Sequence, residues 1–242
     1  MASEVRNDVT VNGAGTVAPG HYENVTINGG GTITGELVCT TLRINGAGTC
    51  NGSVKAATIS VNGSSTFDAP VQVGEMTVNG SATVRAGLGV ARLVVRGSIT
   101  AEGGVAAHDI DLKGVLRTAG DITTDTLRGE GGLEGGAVKA DAFDLTVYGP
   151  SKVRTLEANR ITLRSPGSLG AFIGLFTDKR FTAESLRASE VWAEYTTADV
   201  VSAGNATIGR ESRIGLVVYA GTCSVVDDAQ VGESRKVEPA AG

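Results

Sequence analysis

Only a few side chains in this 242-residue chain are of a type that does chemistry: two histidines, His21 and His108, three cysteines, Cys39, Cys50 and Cys223, and a scatter of carboxylates. Nucleophilic or acid–base catalysis needs a nucleophile, a base and a group that orients the base, all within hydrogen-bond reach. The histidines lie 87 residues apart (108 − 21), about five turns of the repeat described below, so they do not share a site. Asp68, Asp111, Asp121 and Asp125 lack the Gly-Gly-x-Gly-x-Asp spacing that binds calcium in some β-helices. The run Gly29-Gly30-Gly31 is followed by no Lys-Ser or Lys-Thr and no helical pattern, so it reads as a corner and not a phosphate loop. The expectation is a chain with no catalytic, cofactor-binding or metal-binding residues, and no enzyme.

What recurs instead is a spacing. Val11-Asn12-Gly13, Ile27-Asn28-Gly29, Ile44-Asn45-Gly46, Val61-Asn62-Gly63 and Val78-Asn79-Gly80 follow one another at intervals of 16, 17, 17 and 17 residues. The rhythm continues with the Asn replaced at Val95-Arg96-Gly97 and Leu112-Lys113-Gly114. A fixed period of this kind marks a solenoid. Helical repeats need about 33 to 47 residues and a 3.6-residue pattern, whereas here apolar residues alternate with polar ones, the period of a strand. The coils predict inward residues Leu42, Ile44, Cys50, Gly52, Val54 and Ala56, then Ile59, Val61, Phe67, Ala69, Val71 and Val73, then Met76, Val78, Val84, Ala86, Leu88 and Val90. Gly and Asn are expected at the bends for their tolerance of positive φ. The fold class is therefore all-β, a single-stranded parallel β-helix of about 13–14 coils of about 17 residues.

Two outward columns need weighing. Asn12, Asn28, Asn45, Asn62 and Asn79 should stack into a ladder of amide hydrogen bonds, a structural role. Thr16, Thr32, Thr49, Thr66, Thr83 and Thr100 form another column. Paired Thr columns in flat solenoids recognise ice, but two residues onward the chain reads Ala18, Thr34, Asn51, Asp68 and Arg85, so strand propensity accounts for the Thr.

The expected organisation is a short lead over 1–8, regular coils over 9–175, an inserted loop over 176–185, further coils over 186–232 and a disordered tail over 233–242. The phase slips after Leu127, where one residue is added before Leu145-Thr146-Val147. Near the insertion Phe172, Phe176 and Phe181 form a candidate lateral or membrane-contacting patch, which Trp192 and Tyr195 are placed to join. A net charge of −5 and a pI near 5.1 exclude a nucleic-acid backbone binder, which needs a basic stripe. No apolar signal core and no 18-residue apolar run is visible, and three unpaired cysteines suit a reducing compartment. The expected location is the cytoplasm, including the inner face of the membrane.

The Val/Ile-x-Val/Ile-Asn-Gly coils resemble those of the bactofilins, the polymer-forming bacterial cytoskeletal proteins. So does the closing stretch Ile208-Gly209-Arg210-Glu211-Ser212-Arg213-Ile214-Gly215-Leu216-Val217-Val218-Tyr219 with Val231-Gly232. The resemblance covers roughly residues 5 to 232 and is to long members of Gram-positive type. It implies a right-handed triangular β-helix that polymerises end to end without nucleotide and scaffolds cell-shape, cell-wall, polarity or motility machinery. It also implies, as partners, further copies of the chain, a paralogous bactofilin or cell-envelope proteins. Many bactofilins carry an apolar membrane-targeting peptide before the core; here the first coil starts near Val5 to Val9, so membrane attachment by that route is not expected.

Physics points the same way, because an uncapped end coil exposes free N–H and C=O groups around an apolar lumen. The predicted polymer contacts are Val9, Val11 and Val17 in the first coil and Val225, Val226 and Val231 in the last. The rival class is a β-helical enzyme, an acyltransferase or a polysaccharide lyase. Acyltransferase helices use strict hexads and present a histidine between subunits, while lyases carry acidic clusters in longer coils; this chain has neither pattern.

Overall fold

The structure, a computed structural model, describes residues 7–165, 180–226 and 228–238. Among them every regular element is a β-strand, there is no α-helix, and the strands pair in parallel as a β-solenoid at roughly 17-residue spacing. The chain divides into two compact units, Met1–Gly120 and Asp121–Gly242.

In the first unit each coil after the first is an eight-residue strand followed by a four-residue one, as in Leu37–Ile44 and Ala47–Cys50. The long strand bends in its middle, since the ladder joining it to Val54–Val61 holds Cys39↔Ala56 and Thr41↔Thr58 but skips the residue between. A coil thus has three straight segments, such as 37–39, 41–44 and 47–50. Register is strict: Leu42 stacks on Val25 and Ile59 on Leu42, 17 residues apart each time. Parallel strands buried on the inner face need continuous apolar columns, and Val25, Leu42, Met76 and Leu93 are fully buried, with Ile59 at 2% exposure.

Six side chains per coil point inward, but not quite the six expected. Gly52, Ala69 and Ala86 lie at a bend, partly exposed, while the inward place belongs to Gly31, Gly48, Ser65, Ala82, Ile99 and Leu116. This column escapes a hydrophobicity reading because half of it is glycine or serine. Its residues are small for a reason of volume. A Cβ added at Gly48 would come 3.0 Å from the Ile44 side chain, and one at Gly31 would come 2.8 Å from Ile27. Where Ile gives way to Val61 and Val78, the column widens to Ser65 and Ala82. Two residues on, bulky Phe67 accompanies Ser65 and small Ala101 accompanies Ile99. Close packing tolerates neither void nor overlap, and each coil keeps its own balance. The hydroxyl of Ser65 is buried with no hydrogen-bond partner.

The Asn-Gly bends also have a different cause from the one expected. None of the repeat glycines has positive φ; among the described glycines only Gly20, Gly129 and Gly131 do. A Cβ on Gly46, Gly63, Gly80, Gly97 or Gly114 would instead overlap the carbonyl oxygen of the glycine one coil earlier. Glycine is required there by stacking, not by backbone conformation.

The second unit is less regular. Leu127 pairs with Phe143, Phe143 with Ile161, Ile161 with Val191, Val191 with Ala206, and Ala206 with Cys223. The steps are 16, 18, 30, 15 and 17 residues, by subtraction of those numbers. The slip after Leu127 is therefore a residue lost and then one regained, with Leu145 stacked on Gly129 and not on Leu127. Residues 166–179 belong to the 30-residue step. The expected loop to 185 is too long: Phe181–Ala193 is one strand, paired with Ser151–Glu157 and Arg160–Arg164. The expected tail likewise begins too early, since Gln230–Lys236 is a strand on Arg213–Tyr219.

Candidate functional site

Strand Asn7–Val11 pairs with Gly20–Ile27 along one edge and with no described residue along the other. Val9 and Val11 head columns whose next members, Val25 and Ile27, are fully buried, yet they are themselves half-exposed. Val17, at 2% exposure, is already covered within its coil and offers a partner little. In the last described coil Val225 stacks on Ile208 and Val231 on Ile214. Val225 and Val226 are 44% and 40% exposed, although Ile208 beneath is fully buried. That coil differs from the first in carrying Glu233, Arg235 and Lys236 on its outer strand, with Arg235 paired to Glu233 at 2.9 Å. Charges on an edge strand restrain indiscriminate pairing.

The amide ladder forms as expected. Nδ2 of Asn28, Asn45, Asn62 and Asn79 donates to Oδ1 of the Asn one coil earlier at 2.8, 2.8, 2.8 and 2.7 Å. Arg96 closes it, donating to Asn79 Oδ1 at 3.2 Å. The ladder is directional: each Asn donates toward the first coil, so Asn12, with no coil described beneath it, keeps its amide donors. Gly13 stands in the same position, for a Cβ added there would meet nothing within 4 Å. The Thr column stacks in register from Thr16 to Thr100. Its neighbour on the same straight segment lies two residues earlier, as Ala14, Gly30, Ala47, Ser64, Ser81 and Ser98. A second Thr column is therefore absent on that side as well.

Of the three phenylalanines of the candidate patch, only Phe181 lies among the described residues. Phe172 and Phe176 lie outside the described residues. Phe181 is fully buried and meets Phe143 edge to face, ring centroids 6.0 Å apart; its inward register on Thr196 takes it off the surface. Trp192 does not join it, since it sits on the outer face in register with Thr162 and Thr207, 47% exposed. Strand alternation was the signal for this, because Trp192 lies between the inward Val191 and Ala193. Tyr195 takes a corner, with φ of 49°.

His21 and His108 are both exposed, on separate coils. No group of three metal-ligating side chains occurs among the described residues. Burial pushes the thiol of Cys39 up to about 11 and that of Cys50 up to about 12, the latter helped by Cys39 and Asp68 nearby. Protonated thiols of this kind are poor nucleophiles. Among the described residues no helix is long and apolar enough to cross a membrane. Comparison with family models, with curated proteins and with solved structures gives no match.

Proposed function

We propose that the chain is a non-enzymatic structural protein of bactofilin type that associates with copies of itself, end coil to end coil, into nucleotide-independent filaments. The observation that carries this reading is Asn12-Gly13. In the next four coils, at Asn28-Gly29, Asn45-Gly46, Asn62-Gly63 and Asn79-Gly80, the glycine is demanded by a coil directly beneath it, and the asparagine donates its amide to that coil. The first coil carries both residues with no described coil below, beside a strand edge that has no partner among the described residues and the half-exposed Val9 and Val11. It has the underside of an interior coil. A further copy stacked there would bury the two valines, accept the Asn12 amide and pair the strand edge.

Filaments of this kind would act in the cytoplasm, at the inner face of the membrane, as a cytoskeletal scaffold for cell-shape, cell-wall or motility machinery. A paralogous chain or cell-envelope proteins are their natural partners. The test is negative-stain microscopy of the purified chain beside Val11→Arg, Gly13→Ala and Val225→Lys, each with its circular dichroism. The wild type should form filaments without nucleotide. Gly13→Ala and Val11→Arg should keep the β spectrum and lose the filaments, and Val225→Lys reports on the other edge. Filaments that persist in all three variants, or a wild type that stays monomeric at high concentration, would overturn the reading.

A further inference from the structure

The outer face of the second unit carries a groove of about 470 Å³ across three successive strands, Arg160–Arg164, Phe181–Ala193 and Thr196–Ile208. Its centre is Trp192, the only tryptophan of the chain. Strand register sets the surroundings. Thr162 and Thr207 flank Trp192 on the neighbouring coils, and Arg160, Glu190 and Asn205 form the parallel column two residues away. Arg160 Nε pairs with Glu190 at 2.9 Å, and Arg164, at the rim, pairs with Asp144 at 2.8 Å. Oδ1 of Asn205 accepts from the amide and hydroxyl of Thr222, both at 3.0 Å, which leaves its Nδ2 donors for a ligand.

We infer that this groove binds a linear carbohydrate lying across successive coils. A binding site joins an apolar platform to a few convergent polar groups in a cleft of about 300–1,000 Å³, and this one fits in size and composition. An indole presents a negative face, which attracts the weakly positive C–H bonds on one side of a pyranose. The hydroxyls around the sugar's rim then need donors and acceptors in the sheet plane, and Arg160, Glu190, Asn205 and the two threonines supply both. The ion pair does not stand in the way. Its side chains are 68% and 56% exposed, and such pairs are worth only about 0–1 kcal/mol, so hydroxyls can share its partners at little cost. Parallel strands stand about 4.8 Å apart, close to the rise of an extended β-linked sugar chain, so successive sugars meet successive coils. The rival occupants fit less well. A nucleic acid would face a chain of net charge −5 without a basic stripe, and a quaternary ammonium would find one aromatic ring beside two guanidinium groups.

The inference is independent of filament formation and has its own readout, since all tryptophan emission comes from Trp192. The full chain is titrated with N-acetylglucosamine tetramer, cellotetraose and galacturonate tetramer while that emission is followed. A saturable shift or quench is expected for at least one tetramer. The half-saturation point should rise about tenfold in Arg160→Ala or Glu190→Ala, the loss of roughly one hydrogen bond, with an unchanged circular dichroism spectrum. In Trp192→Ala, saturation-transfer NMR replaces fluorescence and should show binding lost. Three results would overturn the inference: no saturable change with any tetramer, a response indifferent to Arg160 and Glu190, or emission of the free protein that iodide cannot quench.

Discussion

Replacing Gly63 by alanine asks whether stacking, and not backbone conformation, selects the glycine of each bend. The new Cβ would overlap the carbonyl oxygen of Gly46, and restoring van der Waals contact requires the two coils to part locally by roughly 1 Å. Beside a long bond from Gly63 N to Ile44 O at 3.3 Å, three shorter ones cross that bend: Asn62 N to Ile44 O at 2.8 Å, Ser64 N to Gly46 O at 2.9 Å, and Asn62 Nδ2 to Asn45 Oδ1 at 2.8 Å. A displacement of that size takes all three beyond hydrogen-bonding distance. At about 0.5–1.5 kcal/mol each, the loss is about 2–4 kcal/mol. Alanine recovers about 0.4–1 kcal/mol by stiffening the unfolded chain, which leaves a net destabilisation of about 2–3 kcal/mol. Gly13→Ala is the internal control: the motif is the same, but the added carbon meets nothing within 4 Å, so its stability should equal or slightly exceed the wild type. Urea unfolding of dilute, unassembled protein followed by far-ultraviolet circular dichroism measures both. If Gly63→Ala unfolds at the wild-type midpoint, the steric account of the repeat is wrong, and the support that Gly13 lends to end-to-end docking goes with it.

Other expectations rest on the lumen. Ser65→Ala removes a buried hydroxyl that has no partner and puts there the residue the next coil already has at Ala82, so it should stabilise by about 1 kcal/mol; destabilisation in the same urea experiment would mean that the hydroxyl is satisfied. The buried thiols give a pH dependence. From an ordinary value of 9.0 they rise to about 11 at Cys39 and about 12 at Cys50. Above pH 9 the unfolded chain loses these protons while the folded one retains them, so stability is full below pH 9 and falls as pH rises toward 12. Cys39→Ala combined with Cys50→Ala should flatten that decline, and an unchanged slope would refute the assignment. In the native protein at pH 8 a disulfide-exchange reagent should modify Cys223, which is only partly buried, well before the other two; equal rates for all three thiols would contradict their placement.

The coil period, the apolar columns and the amide ladder are legible in the sequence because each follows from a regular spacing of recognisable residue types. Three other features are not, for physical reasons. The Gly31–Gly48–Ser65 column is hidden because its residues are chosen for their lack of volume, and a search for hydrophobic side chains passes over them. The register around Phe143 is ambiguous because Phe143, Leu145 and Val147 all point inward, so two alignments differing by two residues satisfy the same alternation. Phe181 reads as surface because it follows an insertion, and only the strand ladder reveals where counting must restart. On the candidate end contacts the sequence identifies the columns but not their cover, so Val17 counts with Val9 and Val11 although its own coil already buries it. The Trp192 groove depends on residues 30 positions apart in sequence becoming neighbours, a juxtaposition that no 17-residue period predicts.

The volume balance of the lumen has a consequence for how such a chain changes over generations. Ser65 with Phe67, and Ile99 with Ala101, make their compensation inside a single coil, and successive coils such as those of Val54–Val61, Val71–Val78 and Leu88–Val95 offer the same register to one another. A whole coil can therefore be copied or deleted without a second, compensating change, while a shift of one residue turns an entire strand inside out. Length in this architecture is inherited in quanta of one coil. Natural variants should accordingly differ by multiples of about 17 residues, and an internal duplication should be among the gentlest large mutations the gene can suffer.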